Sequence, residues 1–371
     1  MSSSMGNNFK ITVFGQSHSK AIGVVIDGVP AGIKLDLDKI EAFMARRAPS
    51  GGGISTARKE ADRPEILSGI VDGVTCGAPI CAMITNGDTR SKDYSKLRDL
   101  PRPMHADFAA AVKYNGANDI RGGGQFSGRL TAPLCFAGAV AMQLLERYGI
   151  SVGAHISAIA GIKDEEFDAV SVSKEQLEAV KQKKLAVIDD AAGEKMTERI
   201  LEVKAQGDSV GGVIECAVVG LPAGIGEPIY DGIENCVAAA VFGIPAVKGI
   251  EFGAGFAAAE MLGSEHNDSF IMDGEKVVTQ TNRHGGILGG ISSGMPILFK
   301  AAFKPTPSIA KQQQTVSLSE KQNAELVIEG RHDPCIVPRA VPCVEAAAAV
   351  AIIDLLMEEK GRNACRWMNL E

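Results

Sequence analysis

The sequence predicts an α+β fold of two related halves, each built of antiparallel strands with helices on one face, and two internal echoes predict it. Pro30-Ala31-Gly32-Ile33 returns as Pro222-Ala223-Gly224-Ile225, each time after an apolar strand and before an acidic helix start, Asp38-Lys39-Ile40-Glu41 and Asp231-Gly232-Ile233-Glu234. Arg121 and Arg129 stand eight apart before a helix containing Ala139-Val140-Ala141. Arg331 and Arg339 stand eight apart before Ala349-Val350-Ala351, and every member of the second set is offset by 210 residues from the first. Self-similarity at a fixed offset is the signature of a duplicated unit. Residues 9–150 and 210–360 are therefore read as the halves of one internally duplicated domain covering 1–371.

Taken in order, Phe9 to Phe14 and Ala21 to Ile26 alternate as strands, with Gly15-Gln16-Ser17-His18-Ser19 between them. His18 is expected at an accessible hairpin tip, free to titrate near the ordinary imidazole value of about 6.5. A helix from about Asp38 to Arg47 ends at Pro49. The Gly-rich run Ser50 to Glu60 follows, read as a lid over a charged ligand because it is too mobile to be core. It lacks the lysine and spacing of a phosphate-binding P-loop. A hairpin of Glu65 to Ile70 with Pro79 to Thr85 leads to a polar loop at Asn86 to Ser91.

His105 opens a short helix running to Tyr114, whose N-terminus should depress the imidazole's pKa. Gly122-Gly123-Gly124 precedes a long apolar helix from Leu130 to Tyr148, and three glycines let backbone amides approach a ligand. Two charged helices, Lys174 to Lys184 and Glu194 to Lys204, are surface elements. A strand at Val210 to Val219, a helix from Asp231 to Phe242 and further strands continue to about Glu329. Gly330 to Val344 is a proline-stiffened loop leading into the apolar helix Ala346 to Met357.

Composition bounds the chemistry. The chain of 371 residues is 45% hydrophobic and only 5% aromatic, so its core is aliphatic and alanine-rich. A net charge of -7 argues against nucleic-acid binding, so any anion site has to be local. Eight cysteines without CxxC pairing or zinc spacing indicate a reduced, cytoplasmic protein with no metal site. No apolar signal segment is present, and Ala346 to Met357, broken by Asp354, is too short to span a bilayer, which takes roughly 20 residues. If the halves pack about a pseudo-two-fold axis, Arg121, Arg129, Arg331 and Arg339 share a cleft whose natural occupant is a polyanionic small molecule.

Several segments in one order resemble the chorismate synthase family: Gly15-Gln16-Ser17-His18 with Asp27-Gly28-Val29-Pro30, Arg102-Pro103-Met104-His105-Ala106-Asp107, Gly285 to Gly294, Lys304-Pro305-Thr306, and Arg331 to Cys335 with Arg339-Ala340-Val341-Pro342. The resemblance covers nearly the whole chain. It implies a β-α-β sandwich with helices packed between antiparallel sheets, a homotetramer, and a lyase that converts 5-enolpyruvylshikimate-3-phosphate to chorismate. That reaction is an anti 1,4-elimination of phosphate, the last step of the shikimate pathway, and uses reduced FMN without net redox change.

By the same resemblance His18, His105 and Asp333 are catalytic, and Arg47, Arg129 and Arg339 bind substrate. Gln125, Phe126, Ser127, Ala246, Gly289, Lys304, Pro305, Thr306, Pro307, Ser308 and Arg331 hold the flavin, while His332 has no role. Some members reduce their flavin with NADPH; lacking a GxGxxG signature, this chain is expected to depend on an external flavin reductase. It departs from the commoner pattern at Ser19, Gly53, Gln125-Phe126 and Pro245, and Phe126 is expected to pack against a ring. A catalytically silent paralogue that binds flavin or phosphorylated metabolites for regulation is the alternative.

Overall fold

The structure, a computed structural model, describes residues 3–49, 53–55, 62–87, 96–328 and 332–362. Most of the expected lid and Arg331 lie outside the described residues. Alternating apolar residues build two five-stranded sheets in which every neighbour is antiparallel. The first runs Ser4–Met5, Lys10–Gly15, Ala21–Asp27, Ile80–Thr85, Glu65–Ser68. The second runs Val247–Phe252, Ile297–Phe303, Gly212–Val219, Ser151–Ile159, Ile162–Lys163. The second sheet thus takes two strands from the stretch between the proposed halves.

The helices, in chain order among the described residues, are α1 (Leu37–Arg47), α2 (Asp107–Lys113), α3 (Thr131–Glu146), α4 (Lys174–Lys181), α5 (Asp190–Ala205), α6 (Ile233–Phe242), α7 (Gly263–His266) and α8 (Val337–Arg362). Helices α3 and α8 pack on each other between the sheets, α3 against Ala21–Asp27 and α8 against Ser151–Ile159 and Gly212–Val219. Their backbones come so close that a Cβ on Gly138 would lie 2.3 Å from that of Ala346, which is why glycine and alanine stand at the crossing. The fold is α+β, with helices sandwiched between antiparallel sheets.

Strand periodicity covers the second sheet on both faces. Val152, Ala154, Ile156, Ile214, Cys216 and Val218 join the main core, whereas Ala217, Val219 and Leu298 face a smaller core under α4. Helix α4 therefore lies outside the sandwich, held by a Ser173–Gln176 capping box.

Helix α8 corrects the expectation of a proline loop before Ala346: it begins at Val337 and contains Pro338 and Pro342. Pro338 sits in the first turn, where no N–H is needed, and Pro342 forfeits one backbone bond inside a helix whose burial outweighs it. So extended, α8 and the segment Gly128–Glu146 are long and apolar enough to cross a membrane by length and composition, but most of each is buried inside the protein. Asp354, the charge that interrupts the apolar run of α8, accepts the backbone N–H groups of Asn7, Asn8 and Phe9 at 2.6–3.0 Å and ties down the N-terminal strands.

Candidate active site

A cavity of about 420 Å³ opens where α1, the α2 approach, the glycine turn and the first turn of α8 meet. Its wall contains Arg47, Arg129 and Arg339, all three expected anion ligands, together with His105, Asp333, Phe126, Ser127, Ala246, Lys304, Thr306, Pro307 and Ser308. His332 also lines it. Gln125, Gly289, Pro305 and His18 do not: Gln125 donates to the Tyr114 hydroxyl at 2.9 Å, and Gly289 tips the hairpin Ile287–Leu288/Ile291–Ser292. Arg121 is drawn onto Asp119 at 2.8 Å on the surface and does not join the expected four-arginine cleft, whose Arg331 lies outside the described residues; Arg47 and Arg102 line the cavity beside Arg129 and Arg339.

Two of the arginines are held by a residue that carries no motif, Asp62. Asp62, itself buried and in the left-handed region at φ 48°, pairs with Arg47 Nη1 at 2.5 Å and with Arg129 Nη1. Burial alone would raise its carboxyl, yet Arg47 and Arg129 outweigh burial and hold it below the usual carboxylate range. Arg47 further donates to Thr131 Oγ1 (3.1 Å) and Gly128 O (3.0 Å), and Arg129 Nε to Asn86 Oδ1 (3.1 Å). Arg339 donates to Asp333 Oδ2 (2.8 Å) and to the Arg47 carbonyl (3.1 Å), joining α8 to α1.

A second cluster orients His105. Arg102 grips Asp107 through Nε (2.7 Å) and Nη2 (2.9 Å) and reaches Ser308 Oγ at 3.2 Å. Asp107 Oδ1 lies 2.7 Å from His105 Nδ1, while Arg102 Nη2 is 3.2 Å from the same nitrogen. The carboxylate can only accept and its contact is shorter, so Nδ1 carries the proton and Nε2 is left for the cavity. Burial first, then Arg102 and Lys304, lower the pKa of His105 against the pull of Asp107. The expected direction holds, but through burial and charge. Asp107 is held below the carboxylate range by Arg102 and His105 in spite of its own burial.

His18 is buried at 8% exposure rather than open at a hairpin tip. Its turn is laced by Ser19, whose single hydroxyl proton has Gln16 O (2.8 Å) and Ala21 O (2.7 Å) as acceptors within reach and whose Oγ accepts from Gln16 N. The three glycines are all at positive φ, and two of them, Gly122 and Gly123, stand against the histidines. A Cβ on Gly122 would stand 2.5 Å from His18 Cε1 and from Ser17 Oγ, and one on Gly123 3.1 Å from His105 Nε2. Glycine is needed there for the imidazoles. Phe126 meets a ring, that of Tyr114, with centroids 6.5 Å apart.

The charge balance of the wall favours anions. Among the described residues, Arg47, Arg102, Arg129, Lys304 and Arg339 line it against one carboxylate of the wall, Asp333, and two behind it, Asp62 and Asp107. Lys304 has no ion-pair partner among the described residues, and burial, then Lys248, lower its pKa. Asp62, Arg102 and Asp107 were missing from the sequence-based site. The last two flank His105 within Arg102-Pro103-Met104-His105-Ala106-Asp107 and were available; Asp62, in a loop without a motif, was not.

A sequence model of the chorismate synthase family matches residues 9–357. The chorismate synthase of Methanosarcina mazei is 47% identical over 353 residues, covering 95% of each chain. That of Dehalococcoides mccartyi is 46% identical over 357 residues, covering 96% of this chain and 97% of the relative. A crystal structure of chorismate synthase superposes with a TM-score of 0.74 at 28% identity, covering 96% of this chain and 94% of the other. The chain belongs to the chorismate synthase family.

Proposed function

We infer that the chain eliminates phosphate from 5-enolpyruvylshikimate-3-phosphate to give chorismate, as a lyase using reduced FMN. The observation that carries this reading is the cation surplus of a cavity flanked by the buried His18 and the part-buried His105, matched to a substrate with one phosphate and two carboxylates. Arg47, Arg129 and Arg339 clamp these anions, Arg339 from α8 and the other two across Asp62. His18, set behind Gly122, protonates the leaving phosphate, work suited to an imidazole.

The residues fit a flavin. Thr306 Oγ1 is buried without a hydrogen-bond partner among the described residues and lies in the wall beside Lys304, Pro307 and Ser308. Such an orphan is satisfied by a polar ligand. Phe126, Ser127 and Ala246 complete that side, with Arg331 assigned to the same group. When bound, reduced FMN supplies electron density to the allylic system as phosphate departs and recovers it as the C6 hydrogen is lost. His105 presents Nε2 toward it, able to take a proton and donate to an anionic ring, and Asp333, held by Arg339, accepts the proton that leaves.

Exposed apolar side chains at Ile229, Tyr230 and Phe256, each at least three-quarters exposed, support association of copies, read as a homotetramer. A cytoplasmic enzyme served by a separate flavin reductase completes the proposal. Anaerobic incubation with substrate and reduced FMN should release phosphate; no release under verified reducing conditions refutes the activity. His18→Ala should slow turnover while flavin still binds, and unchanged turnover removes His18 from the mechanism. Aerobic NADPH and FMN without added reductase should give no product.

A further inference from the structure

Cys135 of α3 and Cys343 of α8 are neighbours in space although 208 residues apart, with Cys135 Sγ donating to Cys343 Sγ at 3.8 Å. Both are buried, at 0% and 3% exposure, but only Cys343 belongs to the cavity wall, next to Arg47, Thr131 and Arg339. One helical turn further along, Gly138 meets Ala346 so closely that a Cβ on Gly138 would lie 2.4 Å from the Ala346 Cα. The two backbones are thus nearly in contact beside the pair. Closing 3.8 Å to the roughly 2.05 Å of a sulfur–sulfur bond takes rotation of side chains rather than approach of helices.

We propose that Cys135 and Cys343 form an oxidation site in the cavity wall, which a hydroperoxide entering the cavity converts to a disulfide joining α3 to α8. Nothing in the proposed elimination uses either thiol, and the inference does not depend on the flavin assignment. Cys343 is the attacking sulfur because it faces the cavity and receives the Cys135 hydrogen bond. That bond first, then the Arg47 guanidinium, lower its pKa against burial, while burial pushes the Cys135 thiol up. The contrast is Cys335, also buried, where burial pushes the thiol up to about 12.

In the first step the Cys343 thiolate attacks one oxygen of hydrogen peroxide; the O–O bond breaks, and hydroxide leaves and is protonated to water, giving a sulfenic acid. In the second, the Cys135 sulfur attacks the Cys343 sulfur; the S–S bond forms, the S–O bond breaks, and a second water leaves with the Cys135 proton. Two thiols lose two electrons and two protons, and peroxide is reduced to two waters.

The test uses the full-length reduced chain, freed of reductant, treated with hydrogen peroxide, unfolded in N-ethylmaleimide and digested without reductant for mass spectrometry. The expected result is a joined pair of peptides carrying Cys135 and Cys343, two hydrogens lighter than the separate thiols, appearing before the exposed Cys76 is oxidised. Recovery of both cysteines as maleimide adducts after Cys76 has been oxidised overturns the proposal. A folded Cys135→Ala variant, checked by circular dichroism, should trap Cys343 as a dimedone adduct of its sulfenic acid; absence of that adduct overturns it as well.

Discussion

Replacing Asp62 with Asn leaves the shape of the loop and removes the charge that Arg47 and Arg129 share among the described residues. Their side chains are 5% and 4% exposed and that of Asp62 is fully buried, so neither guanidinium can turn to water when its partner is lost. Breaking a buried ion pair by removing one partner costs roughly 3–5 kcal/mol. For a chain of 371 residues, whose unfolding entropy scales with length, that is a fall in Tm of about 4–6 °C.

The loss should be reversible by an anion. Inorganic phosphate entering between the arginines restores the missing charge, and at 100 times its dissociation constant a ligand adds about 2.7 kcal/mol. In the wild type the same phosphate has to compete with Asp62. Thermal unfolding with and without phosphate should therefore show a larger phosphate-induced rise in the variant. Because the Asp62 carboxyl is depressed in the folded state, its contribution is present above the unfolded value and lost as pH falls through the folded one. The wild type should thus lose on acidification a stabilisation the variant never had. Equal Tm values without phosphate, or equal phosphate shifts in both proteins, would refute the claim that Asp62 holds the arginines apart from their ligand.

Gly122→Ala should cost about 1–2 kcal/mol for a left-handed alanine and displace His18, whose ring a Cβ meets at 2.5 Å; phosphate release should fall roughly a hundredfold, and unchanged activity would show that His18 is not held by this turn. His155 is buried between Asp164 (3.0 Å) and Glu215 (2.7 Å), and despite burial these carboxylates raise its pKa. Its stabilisation is complete below the unfolded value of about 6.5 and lost as pH rises through the folded one, so denaturant titrations should show an alkaline-side decline that His155→Gln abolishes. Glu345, within α8, takes Arg46 at 2.5 and 2.9 Å and the Ala154 N–H at 3.0 Å; Glu345→Ala should cost about 3 kcal/mol by urea unfolding, and a loss below 1 kcal/mol would rule out the pair as a brace.

What the sequence disclosed about this site follows from how far apart its partners lie. Strands such as Ala21–Asp27 and Gly212–Val219 were legible because burial on a pleated surface imposes a local period of two. The start of α8 was not, since Pro342, five residues into the helix, carries a local stop signal that only tertiary burial of the helix overrides. Arg129 and Arg339 were found by their shared spacing before alanine-rich helices. The residues that aim them, Asp62 and Asp333, differ in legibility: Asp333 is six residues from Arg339 in one motif, whereas Asp62 is 67 residues from Arg129 and reaches it only through the fold. Gly122 and Gly123 were found as well, for a reason the structure replaces, because steric room for an imidazole and room for a ligand leave the same glycine in a sequence. A chain alone thus names the side chains whose chemistry is rare, and leaves hidden the buried carboxylates that decide where those side chains point. An anion that enters between Arg47 and Arg129 has to compete with this hidden carboxylate, so Asp62→Asn is the variant that reads how tightly the arginine pair holds an anion.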